Sequence, residues 1–171
     1  MTLQGNGFTD SKGRPLVAVT GMGVVTSLGR GKEECWSALT AGRSGVKQIK
    51  RFPTDGLRTT IAGTVDFMEI GAYSAPKLTM AMAVAATEEA LDQSRIAGGP
   101  EFPGPLYLAT PPAELEWPER KALYEHPALE GEKGYKRLLA AARSGAFRDM
   151  FPVFQFASVA DHLARSLGTT G

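Results

Sequence analysis

Leu16-Val-Ala-Val-Thr20, running into Gly21-Met-Gly-Val-Val-Thr-Ser-Leu-Gly29, is the stretch on which the reading of the fold turns. The first part is a short β-branched run entered through Arg14 and Pro15. It predicts a strand, because branched side chains suit a pleated surface. Glycines at 21 and 23 predict a backbone that turns sharply or comes close to another segment, since neither carries a Cβ. Lys32 to Ala41 then reads as a helix, with Cys35, Trp36 and Leu39 as its inward face and Gly42 as its stop.

Working outward, Val46 to Phe52 mixes basic and apolar residues. Arg58 to Val65 alternates weakly, as an edge strand or an extended loop would. Ser74-Ala-Pro-Lys77 predicts a helix start, with Ser74 as cap and Pro76 in the first turn. The helix from about Lys77 to Arg95 is apolar nearly all round in its first half, which predicts burial on more than one side. Its small residues permit close approach to a neighbour. Residues 97 to 104 read as a loop, and Pro105 to Thr110 as a second strand ended by Pro111-Pro112. The most charged and least regular region is 113 to 151, with helical pieces at Pro118 to Glu125 and Tyr135 to Ala142. In the final stretch, Ala157, Val159, Ala160, Leu163, Ala164 and Leu167 recur at helical spacing before Gly168. Strand, helix, strand, helix order favours a layered α/β fold.

Composition narrows the function classes. The chain has 171 residues, enough for one domain with a core. Nineteen basic and 18 acidic residues leave a net charge of +1, which gives no electrostatic argument for nucleic acid. One cysteine excludes an internal disulfide framework and a CxxC metal site. The polar N-terminus lacks the apolar core of a signal peptide, and the run Met80 to Ala86 is too short to span a bilayer. A soluble cytoplasmic protein is the expectation.

Gly21-Met-Gly-Val-Val-Thr26 invites a dinucleotide-binding reading, but Thr26 stands where a third small residue belongs, and Ser27 to Gly31 delay the helix. A tight strand-exit turn is the better reading. Cys35 sits inside a helix beside Glu33, Glu34 and Trp36, which suits a small core residue rather than a nucleophile. His126 and His162 are 36 positions apart and lack ligand spacing to the cysteine; neither is a convincing general base. Glu114, Glu116 and Glu119 read as a solvated face. These residues alone supply no complete catalytic constellation.

Val17 to Gly29 closely resembles the opening strand and turn of β-ketoacyl-acyl carrier protein synthases of the synthase II type. Trp36-Ser-Ala-Leu-Thr-Ala-Gly-Arg-Ser-Gly-Val46, Phe52-Pro-Thr-Asp55 and Ala62-Gly-Thr-Val-Asp-Phe67 continue the resemblance in order. So do Ala90-Leu-Asp-Gln-Ser94 and Val159-Ala-Asp-His-Leu-Ala164. The resemblance implies an α/β thiolase-like fold, here its incomplete first half, a mixed sheet with packing helices. On this reading residues 1–15 are a polar N-terminal segment. Residues 16–171 are a partial N-terminal thiolase-like domain, with a divergent insertion-like region at about 111–152.

The activity implied is 3-oxoacyl-acyl carrier protein synthesis in fatty acid biosynthesis. Such enzymes elongate acyl chains by decarboxylative condensation with malonyl-acyl carrier protein, as acyltransferases using a cysteine at a helix N-terminus and two histidines. The family's nucleophilic cysteine is expected shortly after Gly171 and both histidines beyond it, so no catalytic residue is expected in this chain. Cys35, His126 and His162 match none of the three positions. The fragment alone is therefore expected to be inactive. Thr110, Pro111 and Pro112 replace the family's glycine-rich turn and are expected acyl-pocket or dimer-interface positions. No cofactor and no metal are implied. The expected partners are acyl carrier protein and either a second copy, as a homodimer, or a complementing C-terminal chain, with contacts around 77–90 and 154–167. Nucleic acid and membrane insertion are not expected. The competing expectation is a non-catalytic scaffold or interaction subunit that complements a separate catalytic chain.

Overall fold

The computed structural model describes residues 9–71, 74–96, 104–111, 115–127, 131 and 133–169. Most of the expected 97–104 loop, Pro112 and the last two residues of the chain lie outside that set. Two very short strands, β1 (Val25–Thr26) and β2 (Gly29–Arg30), pair antiparallel and lead into α1 (Lys32–Thr40). β3 (Val46–Gln48) pairs antiparallel with β4 (Ile61–Gly63) in the register Val46↔Gly63, Lys47↔Ala62 and Gln48↔Ile61. The long helix α2 (Ala75–Ser94) follows, then α3 (Trp117–Glu125), α4 (Tyr135–Ser144), a 3₁₀ turn at Phe151–Phe154 and α5 (Ser158–Leu167). The described architecture is therefore mixed helix with small strands, compatible with part of an α/β fold.

Helix α2 is the hub. It packs against α5 and against β1, and both of its buried residues, Leu78 and Ala85, lie among the small and apolar positions that predicted close packing. Val159 and Leu163 are buried on α5. Helix α5 ends at Gly168, whose φ of 61° is the left-handed conformation that a glycine adopts without Cβ strain. Helix α2 ends less comfortably, on Arg95 at φ 56°. At its other end, Ser74 occupies the N-cap with extended backbone, but its hydroxyl makes no capping bond. The cap is supplied from outside the helix: Glu116 Oε1 accepts from the Ala75 amide at 2.5 Å.

Three expectations are corrected. Leu16–Thr20 runs extended but is in no ladder, with Val17 92% and Val19 78% exposed. The run Pro105–Thr110 behaves alike, and Tyr107 is 89% exposed. A β-branched run becomes a strand only when another strand takes its backbone groups and covers its faces, and no described segment does so here. The third correction concerns α1. Its inward residue is Ala38, 2% exposed, with Cys35 half-buried, while Trp36 and Leu39 remain 65% and 60% exposed. Helix α1 packs on β1 and β2, with Cys35 reaching Thr26 and the Gly29 carbonyl oxygen, while its large apolar residues stay exposed.

The accessible surface is 13028 Å², against about 8,100 Å² for a compact monomer of 18.2 kDa. The exposed large hydrophobics include Val17, Val19 and Tyr107 of the two uncovered runs and Trp36 and Leu39 of α1.

Candidate functional site

Two arrangements stand out around α2. The first is the turn that precedes α1. Its glycines let the backbone lie directly on the helix: a Cβ on Gly21 would sit 1.9 Å from the Ala90 carbonyl oxygen, and one on Gly23 1.8 Å from that of Ala86. The same helix face then holds the turn by hydrogen bonds. Gln93 Oε1 accepts from the Met22 amide at 2.8 Å. Glu89 accepts from two amides, Val24 at 2.9 Å and Lys32 at 2.7 Å, and its carboxylate lies 3.4 Å from Lys32 Nζ. The Lys32 amide, then the Val24 amide, hold the Glu89 carboxyl below its ordinary value, while desolvation opposes them. The positions 86, 89, 90 and 93 share one face because residues three and four apart on a helix are neighbours.

This geometry decides the dinucleotide question. The Lys32 amide that opens α1, where a phosphate would bind, is already taken by the Glu89 carboxylate of the same chain. An incoming phosphate would meet a negative charge there, so the turn is a packing device.

The second arrangement is an apolar groove of about 680 Å³ between the first half of α2 and the start of α5. Met80, Ala81, Val153, Phe156 and Val159 give it an apolar wall, and Thr110 and Pro111 form part of its rim. Thr110 Oγ1 donates to the Phe156 carbonyl oxygen at 3.2 Å, which ties the extended run to the entry of α5. Among the described residues, Lys77 and Glu116 add the charged lining groups at the α2 end. Chemically this is a slot for an apolar chain with a few polar contacts at one end. Among the described residues its hydroxyls, those of Thr79, Thr110 and Ser158, have no histidine beside them in the lining.

The other residues singled out in the sequence do not converge. Cys35 Sγ donates to the Gly29 carbonyl oxygen at 3.3 Å and lies 3.3 Å from Thr26 Oγ1, so it serves the β1–β2 hairpin. His126 stands edge-on to the Phe147 ring, with centroids 5.2 Å apart, while His162 lies exposed on α5. The glutamates correct the reading of a solvated face. Glu116 is half-buried and caps α2, Glu119 is half-buried, and Glu114 lies outside the described residues. Among the described residues no group of three or more His, Cys, Asp or Glu could hold a metal ion.

Glu89, Gln93 and Glu116 are the positions that sequence reading missed as organisers. The first two appear in the sequence as the polar half of a helix. Their spacing from Ala86 and Ala90 was the available signal.

A small ion cluster fixes the β3–β4 hairpin. Asp66 accepts from Thr64 Oγ1 at 2.6 Å and pairs with Lys47 at 3.2 Å and Arg51 at 3.0 Å. Thr64, then Lys47 and Arg51, hold the Asp66 carboxyl below its ordinary value against desolvation. Arg51 also donates to the Val65 carbonyl oxygen.

Comparison with known proteins bears on the same segments. Residues 15–97 match the family model described as the β-ketoacyl synthase, N-terminal domain. Over 49 residues the chain is 49% identical to 3-oxoacyl-[acyl-carrier-protein] synthase 2 of Coxiella burnetii, covering 29% of this chain and 12% of that protein. Over 84 residues it is 36% identical to 3-oxoacyl-[acyl-carrier-protein] synthase 2 of Vibrio cholerae, covering 46% and 20%. It is 40% identical over 57 residues to the tetracenomycin polyketide synthase ketoacyl synthase beta subunit of Streptomyces glaucescens, covering 33% and 14%. The chain thus spans about a quarter or less of the length of the curated relatives it matches. No described helix is long and apolar enough to cross a membrane.

Proposed function

We propose that this chain, whose residues 15–97 match the model of the β-ketoacyl synthase N-terminal domain, is the N-terminal part of a 3-oxoacyl-acyl carrier protein synthase. The whole protein would be an acyltransferase of the cytoplasm. It would elongate acyl chains by decarboxylative condensation with malonyl-acyl carrier protein in fatty acid biosynthesis. The observation that carries the reading is the ordered match through the turn, α1, the β3–β4 hairpin and α2. The same names among the relatives include polyketide synthases, and the carbon–carbon bond-forming step is common to both readings.

In this reading the 171 residues contribute the frame and part of the acyl slot, and the reacting groups come from residues outside them. The placement of Cys35 supports that division, since its thiol is engaged with the Gly29 carbonyl inside the hairpin. Thr110 and Pro111 are proposed to line the acyl chain's path, with Met80 and Phe156 as the apolar wall. Pro112 is proposed to belong to the same segment. The partners are acyl carrier protein and either a second copy of the chain or a polypeptide that supplies the remaining sheet.

The test is a condensation assay with radiolabelled malonyl-acyl carrier protein and an acyl-carrier donor. The chain alone is expected to give no product. Addition of a polypeptide carrying the rest of a synthase is expected to give 3-oxoacyl product, and Cys35→Ala is expected to leave that product unchanged. Turnover by the chain alone would overturn the assignment of the reacting groups. Failure of every complementing polypeptide to restore turnover would favour a non-catalytic scaffold.

A further inference from the structure

We draw no further inference here: the strongest candidate, the exposed apolar and cationic face that α4 and the turn after it build from Leu138, Ala142, Arg143, Phe147, Arg148 and Phe151, carries none because nothing in the structure shows what covers it.

Discussion

The turn at residues 21–32 and the extended run immediately before it, Leu16–Thr20, are neighbours in the chain with opposite fates. The turn is held by α2 at every step. Two glycines admit the helix backbone, and three amides, of Met22, Val24 and Lys32, are accepted by Gln93 and Glu89. The run has the stronger strand composition, yet Val17 and Val19 are almost fully in water. The difference lies in where each segment finds its partners. The turn is satisfied by side chains of one helix that folds locally. A strand is satisfied only by another strand, and burial of its β-branched faces needs layers on both sides. The run Pro105–Thr110, also outside any ladder, repeats the lesson.

Substitutions should expose this asymmetry in graded steps. The largest effect is expected at Gly23. A valine there would force its Cβ into the Ala86 carbonyl, a backbone atom that cannot swing away, and should cost about 3 kcal/mol. Urea denaturation followed by the α2 helical signal reads this as a lower midpoint; an unchanged midpoint would mean that the turn does not rest on the helix.

Next comes Glu89→Ala, which leaves the Val24 and Lys32 amides without their acceptor and should cost about 2 kcal/mol. The effect has a pH signature. Glu89 has a folded-state pKa depressed below its ordinary 4.5, so its contribution is fully present above that value and is lost as pH falls through the folded value. Asp66 adds the same sign of dependence from below its ordinary 3.8. Acid titration of stability should therefore slope downward below about pH 4.5, and Glu89→Ala should flatten the upper part of that slope. A variant that keeps the wild-type slope would remove Glu89 from the latch.

The smallest effect belongs to the run. Val17→Thr should change stability by less than about 0.5 kcal/mol, because the side chain touches solvent on nearly all sides. A loss as large as that at Gly23 would place Val17 in a covered layer and collapse the contrast.

Particular residues show how far the sequence could be read. Helix positions were legible to within a few residues: Lys32–Thr40, Ala75–Ser94, Tyr135–Ser144 and Ser158–Leu167 all have local apolar spacing and glycine or proline punctuation. Gly21 and Gly23 were legible as sites of close approach, and the small residues of α2 as the surface approached. Thr110 and Pro111 were singled out from a resemblance as acyl-pocket or dimer-interface positions; they line a groove whose acyl role is a proposal. Strand pairing was not legible, because composition reports propensity while pairing depends on a distant partner. The outward turn of Trp36 and Leu39 was missed for a related reason. Helical spacing shows which residues share a face, but α1 packs on β1 and β2 with Cys35 bonded into the hairpin and Ala38 buried, so the face that holds Trp36 and Leu39 is left outside. Glu116 was read as part of a solvated face and Glu89 was given no role, because a carboxylate bound to distant backbone amides leaves no local mark.

Amide hydrogen exchange on the 171-residue chain tests the contrast most directly. The account predicts strong protection at Met22, Val24 and Lys32, and exchange at nearly the unstructured rate at Val17 to Thr20 and at Leu106 to Thr110. Protection at Val17 to Thr20 equal to that at Val24 and Lys32 would contradict it.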